Sequence, residues 1–232
     1  MDINKVTPWL MGSHMYEKDG CQLELSRVAG GLVLPLGNNP GFAVLVALER
    51  FQGIGFSCRR IHTLIEIEEY DLDGLLRQCL NFSHKMQIRD WWGNAHSEVN
   101  TVTLHTWNRQ QAATNRPQFN LMAAPMLRKD NPADCFMYGL RRIQERTLPG
   151  RKSLELSATP KIQAALTMVP PESATGQEIG NHPAVAALCF VLVALDIYET
   201  AATGVEQTHT DNSGPLFWRE RGKHASTSDY WK

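Results

Sequence analysis

Two apolar runs dominate the hydrophobicity pattern of the chain. Gly31 to Arg50 and Arg60 to Tyr70 are rich in Leu, Val and Ile. Such β-type runs, closed by a turn rich in Gly, Pro and Asn, are expected to pair as neighbouring strands. Before them, Cys21 to Ala29 alternates apolar and polar residues with period two. That spacing predicts an antiparallel strand with one solvated face, at a sheet edge. After them, Leu72, Leu75, Leu76, Cys79, Leu80 and Phe82 fall on or near one face of a helix over 72–86, with Asp71 as its N-cap. Ile88 to Asn94 reads as a short strand running into a loop, and strands followed by helix and strand begin an α/β sheet.

The pattern then turns mostly helical. Residues 100–113 form a weaker helix, because β-branched residues crowd its first half. Phe119 to Pro125 is a short buried strand stopped by its proline. Residues 130–146 have a clear helix start, with Asn131 as cap and Pro132 in the first turn. Residues 153–157 alternate, 160–168 read as a short helix, and 169–180 as a surface loop of Pro, Ser, Thr, Gly and Glu. Ala184 to Glu199 is apolar nearly all round, which predicts a helix buried on more than one side. Residues 1–20 give no strong periodicity, and Gly12-Ser-His-Met15 is read as natural sequence. The organisation expected is an N-terminal extension and edge strand over 1–29, one domain over 30–200, and a flexible polar tail over 201–232.

Composition narrows this picture only a little. A length of 232 residues suits one large domain, and 23 Lys plus Arg against 24 Asp plus Glu leave no overall field for an anionic partner. Five cysteines without a CxxC pair suggest buried thiols in a reducing compartment. The longest apolar run, 184–197, suits a core helix better than a membrane span. No signal-peptide pattern opens the chain, so a protein of the cytoplasm with no membrane partner is expected.

Several clusters could carry chemistry, and most have a structural reading that fits better. Asp90 beside Trp91 and Trp92 could be a metal ligand flanked by base-stacking rings, or a strand end with one ring in the core and one at an interface. Glu66, Glu68, Glu69, Asp71 and Asp73 could hold a cation, but a solvated strand face and a helix start account for them better. Arg141, Arg142, Arg146, Arg151 and Lys152 follow a helix end, where cations complement the dipole; they could also contact phosphates. Arg219, Arg221, Lys223 and His224 with Trp218 and Trp231 form a second such set in the tail. The histidines are dispersed without zinc spacing, and neither a GxSxG elbow nor a GxxxxGK[ST] phosphate loop occurs.

The element order resembles the ribonuclease H-like fold, and more narrowly the nuclease domain of a phage terminase large subunit, without its ATPase motor. The resemblance is carried by Leu32 to Glu49, Ile88 to Asn94 and His182 to Leu195, and it spans roughly 30–200. It implies a mixed sheet of about five strands flanked by helices. It also implies carboxylates holding two divalent metals, on the first strand, at the end of the fourth, and at the start of the last core helix. This chain departs from that set. The first-strand position falls near Leu36, Gly37 and Asn38, the fourth strand ends on Asn94, and the last helix opens on Asn181 and His182. Only Asp90 stands near an expected acid. The resemblance therefore implies a pseudoenzyme of phage or prophage origin, needing no cofactor. It would bind nucleic acid or phage assembly proteins in DNA packaging or processing, with Arg142, Arg146, Arg151 and Lys152 as candidate phosphate contacts. The alternatives are an active nuclease using Mg or Mn on Asp90 with Glu49, Glu66 or Asp196, and a purely structural assembly protein.

Overall fold

The computed structural model describes residues 1–9, 13–18, 20–53, 56–95, 97–124, 133–147, 153–169 and 181–203. Contacts divide the chain into two units, Met1–Ala194 and Leu195–Lys232. The strands are β1 (Val6–Pro8), β2 (His14–Lys18), β3 (Cys21–Val33), β4 (Gly41–Gly53), β5 (Phe56–Glu69), β6 (Trp91–Gly93), β7 (Met122–Ala123) and β8 (Leu154–Glu155). The helices are α1 (Leu72–Met86), α2 (Glu98–Ala113), α3 (Ala133–Thr147), α4 (Pro160–Met168) and α5 (Pro183–Thr203). Together they form a mixed α/β fold on one eight-stranded sheet.

The order across the sheet follows from the connections. β1 to β5 form an antiparallel meander. Helical crossovers then bring β6 parallel to the second half of β3, and β7 parallel to β6. β8 lies parallel to β5 over Ile61 and His62 only. The strand over Cys21–Val33 is therefore central rather than an edge, with β2 and β6 on one side and β4 on the other. Alternation misleads here because its polar positions form cross-strand bonds: Ser26 donates to the Leu48 carbonyl and Arg27 pairs with Asp90.

The apolar run from Gly31 to Arg50 is two strands, not one. Pro35 has no N–H to give a ladder, Gly37 takes φ +60°, and Leu36 and Asn39 exchange backbone bonds of 3.2 and 3.1 Å. The chain thus reverses between β3 and β4. From Gly41 to Glu49 every residue of β4 is buried, which is why its sequence reads as continuous apolar residues. Ala43, Leu45 and Ala47 share a core with Leu75, Leu76, Cys79 and Met86 of α1. The alternate residues Phe42, Val44 and Val46 are equally buried and face the other way.

Gly30 and Gly31 show how tightly both faces are covered. A Cβ on Gly30 would stand 2.2 Å from the Trp91 ring, and one on Gly31 would stand 1.9 Å from the Ala187 carbonyl oxygen of α5. Ala184 to Ala194 of α5 is buried throughout, as its all-round apolar sequence requires. Among the described residues no helix is long and apolar enough to cross a membrane. The proposed tail from 204 onward lies outside the described residues.

Candidate functional site

Helical crossovers that make β6 run parallel to β3 bring the carboxyl ends of these strands together, and ligands of open α/β sheets commonly bind there. Leu32 pairs with Gly93, so Leu34 and Asn94 stand just beyond the ladder. Leu34 is buried in the apolar core. Asn94 is half-buried, and its carbonyl accepts a bond of 2.9 Å from the Asn100 amide. Asn38, expected on the first strand, lies instead in the exposed β3–β4 turn, because the strand has already ended at Val33. His182 precedes α5, and its carbonyl accepts from the Ala186 amide at 3.0 Å.

Asp90 enters β6 and is ion-paired with Arg27 of β3 while its carbonyl accepts from Gly30 N–H at 2.9 Å. Trp91 is in the core, donating from its indole to Ser83 Oγ at 2.7 Å and lying 5.8 Å from the Phe119 ring. Trp92 is buried as well, so neither ring offers a face for stacking on a base.

The acidic run fastens helices. Asp71 caps α1 by accepting from Gly74 N–H at 2.7 Å. Asp73 pairs with Arg77 and accepts from the Trp107 indole at 3.0 Å. The Arg77 hydrogen bond outweighs burial and holds the Asp73 carboxyl below its usual range. Glu66 accepts from the Lys161 and Ile162 amides at 2.8 and 3.1 Å, so a strand residue caps α4 across space. Thr159, in the capping position itself, makes no such bond. Glu68 pairs with Lys161, and Glu69 accepts from Gln78.

Of the basic candidates, Arg142 is half-buried, bonded to Glu145 at 2.8 Å and to the Tyr138 hydroxyl at 2.9 Å. The Arg146 carbonyl accepts from Ser153 N–H and joins the end of α3 to the approach to β8. Arg151 and Lys152 lie outside the described residues, as do the tail residues. Asp196 is in the C-terminal part of α5, beyond the first unit.

One polar constellation escaped the sequence reading. His62 of β5 is buried, with Nε2 2.6 Å from Glu49 Oε2 and Nδ1 2.8 Å from Glu155 Oε2. Glu49 is also buried; the Glu155 side chain is 45 % exposed, so that end of the row reaches solvent. Burial opposes ionisation of Glu155, but the Ser157 hydroxyl at 2.9 Å and the facing ring together lower its proton affinity. Arg60 stands 3.9 Å from Glu49. The ring lies between the carboxylates, so the donor atoms point at each other rather than at a shared point. Among the described residues no group of three or more His, Cys, Asp or Glu is arranged to hold a metal ion. The three residues are separated by 13 and 93 positions, and no local spacing announces them. The only signal was a charged and an imidazole side chain inside otherwise apolar strands.

A separate groove of about 230 Å³ runs between α2 and the approach to β7, lined by Asn100, Leu104, His105, Asn108, Phe119 and Asn120. Asn108 closes its floor by bonding both the carbonyl and the amide of Phe119, at 2.9 and 2.8 Å. Compared with protein-family models, curated proteins and solved structures, the chain gives no match, and no family is identified.

Proposed function

We propose that this chain is a non-cleaving ribonuclease H-like scaffold, of phage or prophage origin, that acts by binding a protein partner or nucleic acid during DNA packaging or processing. The observation that carries the reading is the strand order β5–β4–β3–β6–β7, in which three antiparallel strands are followed by two parallel ones with a helix in each crossover. That order is what the ribonuclease H-like resemblance implies. On this reading the missing first-strand carboxylate shifts from the Leu36–Asn38 turn to Leu34, which with Asn94 stands just beyond the β3–β6 ladder. Of the acids the active alternative names, Asp90, Glu49, Glu66 and Asp196, the first three bond instead to Arg27, His62 and the amides of α4. Near-neutral overall charge and the Arg142–Glu145 pair favour a protein partner over a phosphate backbone.

The test is a cleavage assay on DNA and RNA with Mg2+ or Mn2+, followed by a DNA-binding titration across salt concentrations. No metal-dependent cleavage is expected, and any DNA binding that does occur should weaken steeply as salt rises. Cleavage by the wild-type chain that Asp90→Asn abolishes would show that the scaffold is an active nuclease after all.

A further inference from the structure

The row Glu49–His62–Glu155 ties three strands, of which β8 is the shortest. β8 pairs with β5 over only two residues. Around that short ladder, the Ile61 amide donates to Ser153 at 2.7 Å, Thr63 Oγ1 donates to the Glu155 carbonyl at 3.0 Å, and Thr63 meets Thr159 at 3.0 Å. Two ring-to-carboxylate bonds require two protons, and a neutral imidazole carries one. With both carboxyls ionised, the full contact is met by an imidazolium between them. Its charged neighbours are Glu49 on β4, Arg60 on β5, and Glu155 on β8 with Ser157 after it; the Met1 ammonium also acts on Glu155.

We propose that His62 is a proton-dependent clasp, which holds β8 on the edge of β5 when both ring nitrogens carry protons and loosens that strand when one proton leaves. The direction follows from burial. The remaining proton stays on Nε2, because leaving the buried Glu49 carboxylate without a partner costs more than leaving Glu155, which can turn to water. The bond that breaks is Nδ1 to Glu155, the one side-chain tie between His62 and β8. On the acid side, protonation of Glu155 removes the charge that the ring faces, so the clasp weakens there too. This inference does not depend on what the scaffold binds.

Native-state hydrogen exchange, expressed as protection factors corrected for the intrinsic rate, measures the clasp directly. As pH rises through the range in which an imidazole loses its proton, protection of the Ile61 amide and of peptides over 153–157 should fall about three- to tenfold relative to β3–β4 amides. His62→Gln and Glu155→Gln should both remove that pH dependence. Glu155 is half exposed, so Glu155→Gln decides the matter if His62→Gln does not fold. A flat wild-type profile, or an unchanged slope in Glu155→Gln, overturns the proposal. A ring nitrogen spectrum of His62 showing a single N–H on the acid side of that fall would overturn it as well.

Discussion

Replacing Gly31 by alanine tests the placement of α5 on the sheet more sharply than any other single change. The added methyl would stand 1.9 Å from the Ala187 carbonyl oxygen, 2.8 Å from its carbon and 3.2 Å from Val191 Cβ. The obstacle is helix backbone, which has no rotamer to change, so strand and helix must separate by about an ångström or more. A gap of that size forfeits a quarter to a half of each contact it opens, and Ala184 to Ala194 is buried throughout. Overpacking costs about 1–3 kcal/mol where side chains can yield, and a backbone obstacle puts Gly31→Ala at or above about 3 kcal/mol. Gly30→Ala meets the Trp91 ring at 2.2 Å and should cost less, because a ring can tilt. Gly37→Ala is the control: its φ is +60° with open space around it, so it should cost only the left-handed backbone strain, about 1–2 kcal/mol. Urea denaturation gives the ranking from the midpoints at unchanged slope. A Gly31→Ala variant within about 1 kcal/mol of wild type would refute the packing of α5 against β3.

Other expectations follow from the polar contacts. Glu66→Ala leaves the Lys161 and Ile162 amides without their acceptor, and should cost about 0.5–2 kcal/mol in urea denaturation while raising exchange in 160–168. Asp73 and Glu155 have folded proton affinities below their ordinary values of 3.8 and 4.5. Their stabilisation is therefore complete above those values and is lost as pH falls through the lower folded ones. Asp73→Asn with Glu155→Gln should flatten the acid limb of stability against pH. Burial pushes the Cys79 and Cys189 thiols well above their usual range, and Cys135 is buried too. A thiol reagent at neutral pH should leave all three unlabelled until the chain unfolds; labelling of the native protein at any of them would contradict the packing.

Local periodicity was enough for the helices and not for the sheet. α1 and α4 occupy the predicted 72–86 and 160–168, because an apolar face, an Asp71 cap and a leading proline are all local signals. The β3–β4 reversal lies inside the run from Gly31 to Arg50, marked by the Gly, Pro and Asn residues of 35–41, while the buried strands on either side read as one apolar stretch. The central place of β3 depends on β2, which precedes it, and on β6, whose three paired residues lie 61 positions further along the chain. β1 and β2 lie in a stretch that showed no strong period, yet His14 is buried and its ring nitrogen lies 2.6 Å from the Met86 carbonyl. The Glu49–His62–Glu155 row was illegible for the same reason: it exists only once β4, β5 and β8 are side by side.

The proposed non-cleaving role rests on what the acids do in the fold. A two-metal site needs carboxylates that are charged, unpaired by protein cations and aimed at one point. Here three of these acids have a partner that the fold uses: Asp90 secures the entrance of β6 to β3, Glu49 anchors His62, and Glu66 caps a helix that has no cap of its own. Recruiting any of them to a metal would release Arg27, strand a buried imidazole or uncover α4. The position beside Asn94 is also filled by Leu34, packed into the core with Leu32 and Leu75. A carboxylate there would have to be desolvated without a compensating cation, at a cost of several kcal/mol. Asn94→Asp alone would therefore restore one ligand at most, on a frame whose remaining charges are already committed to holding it together.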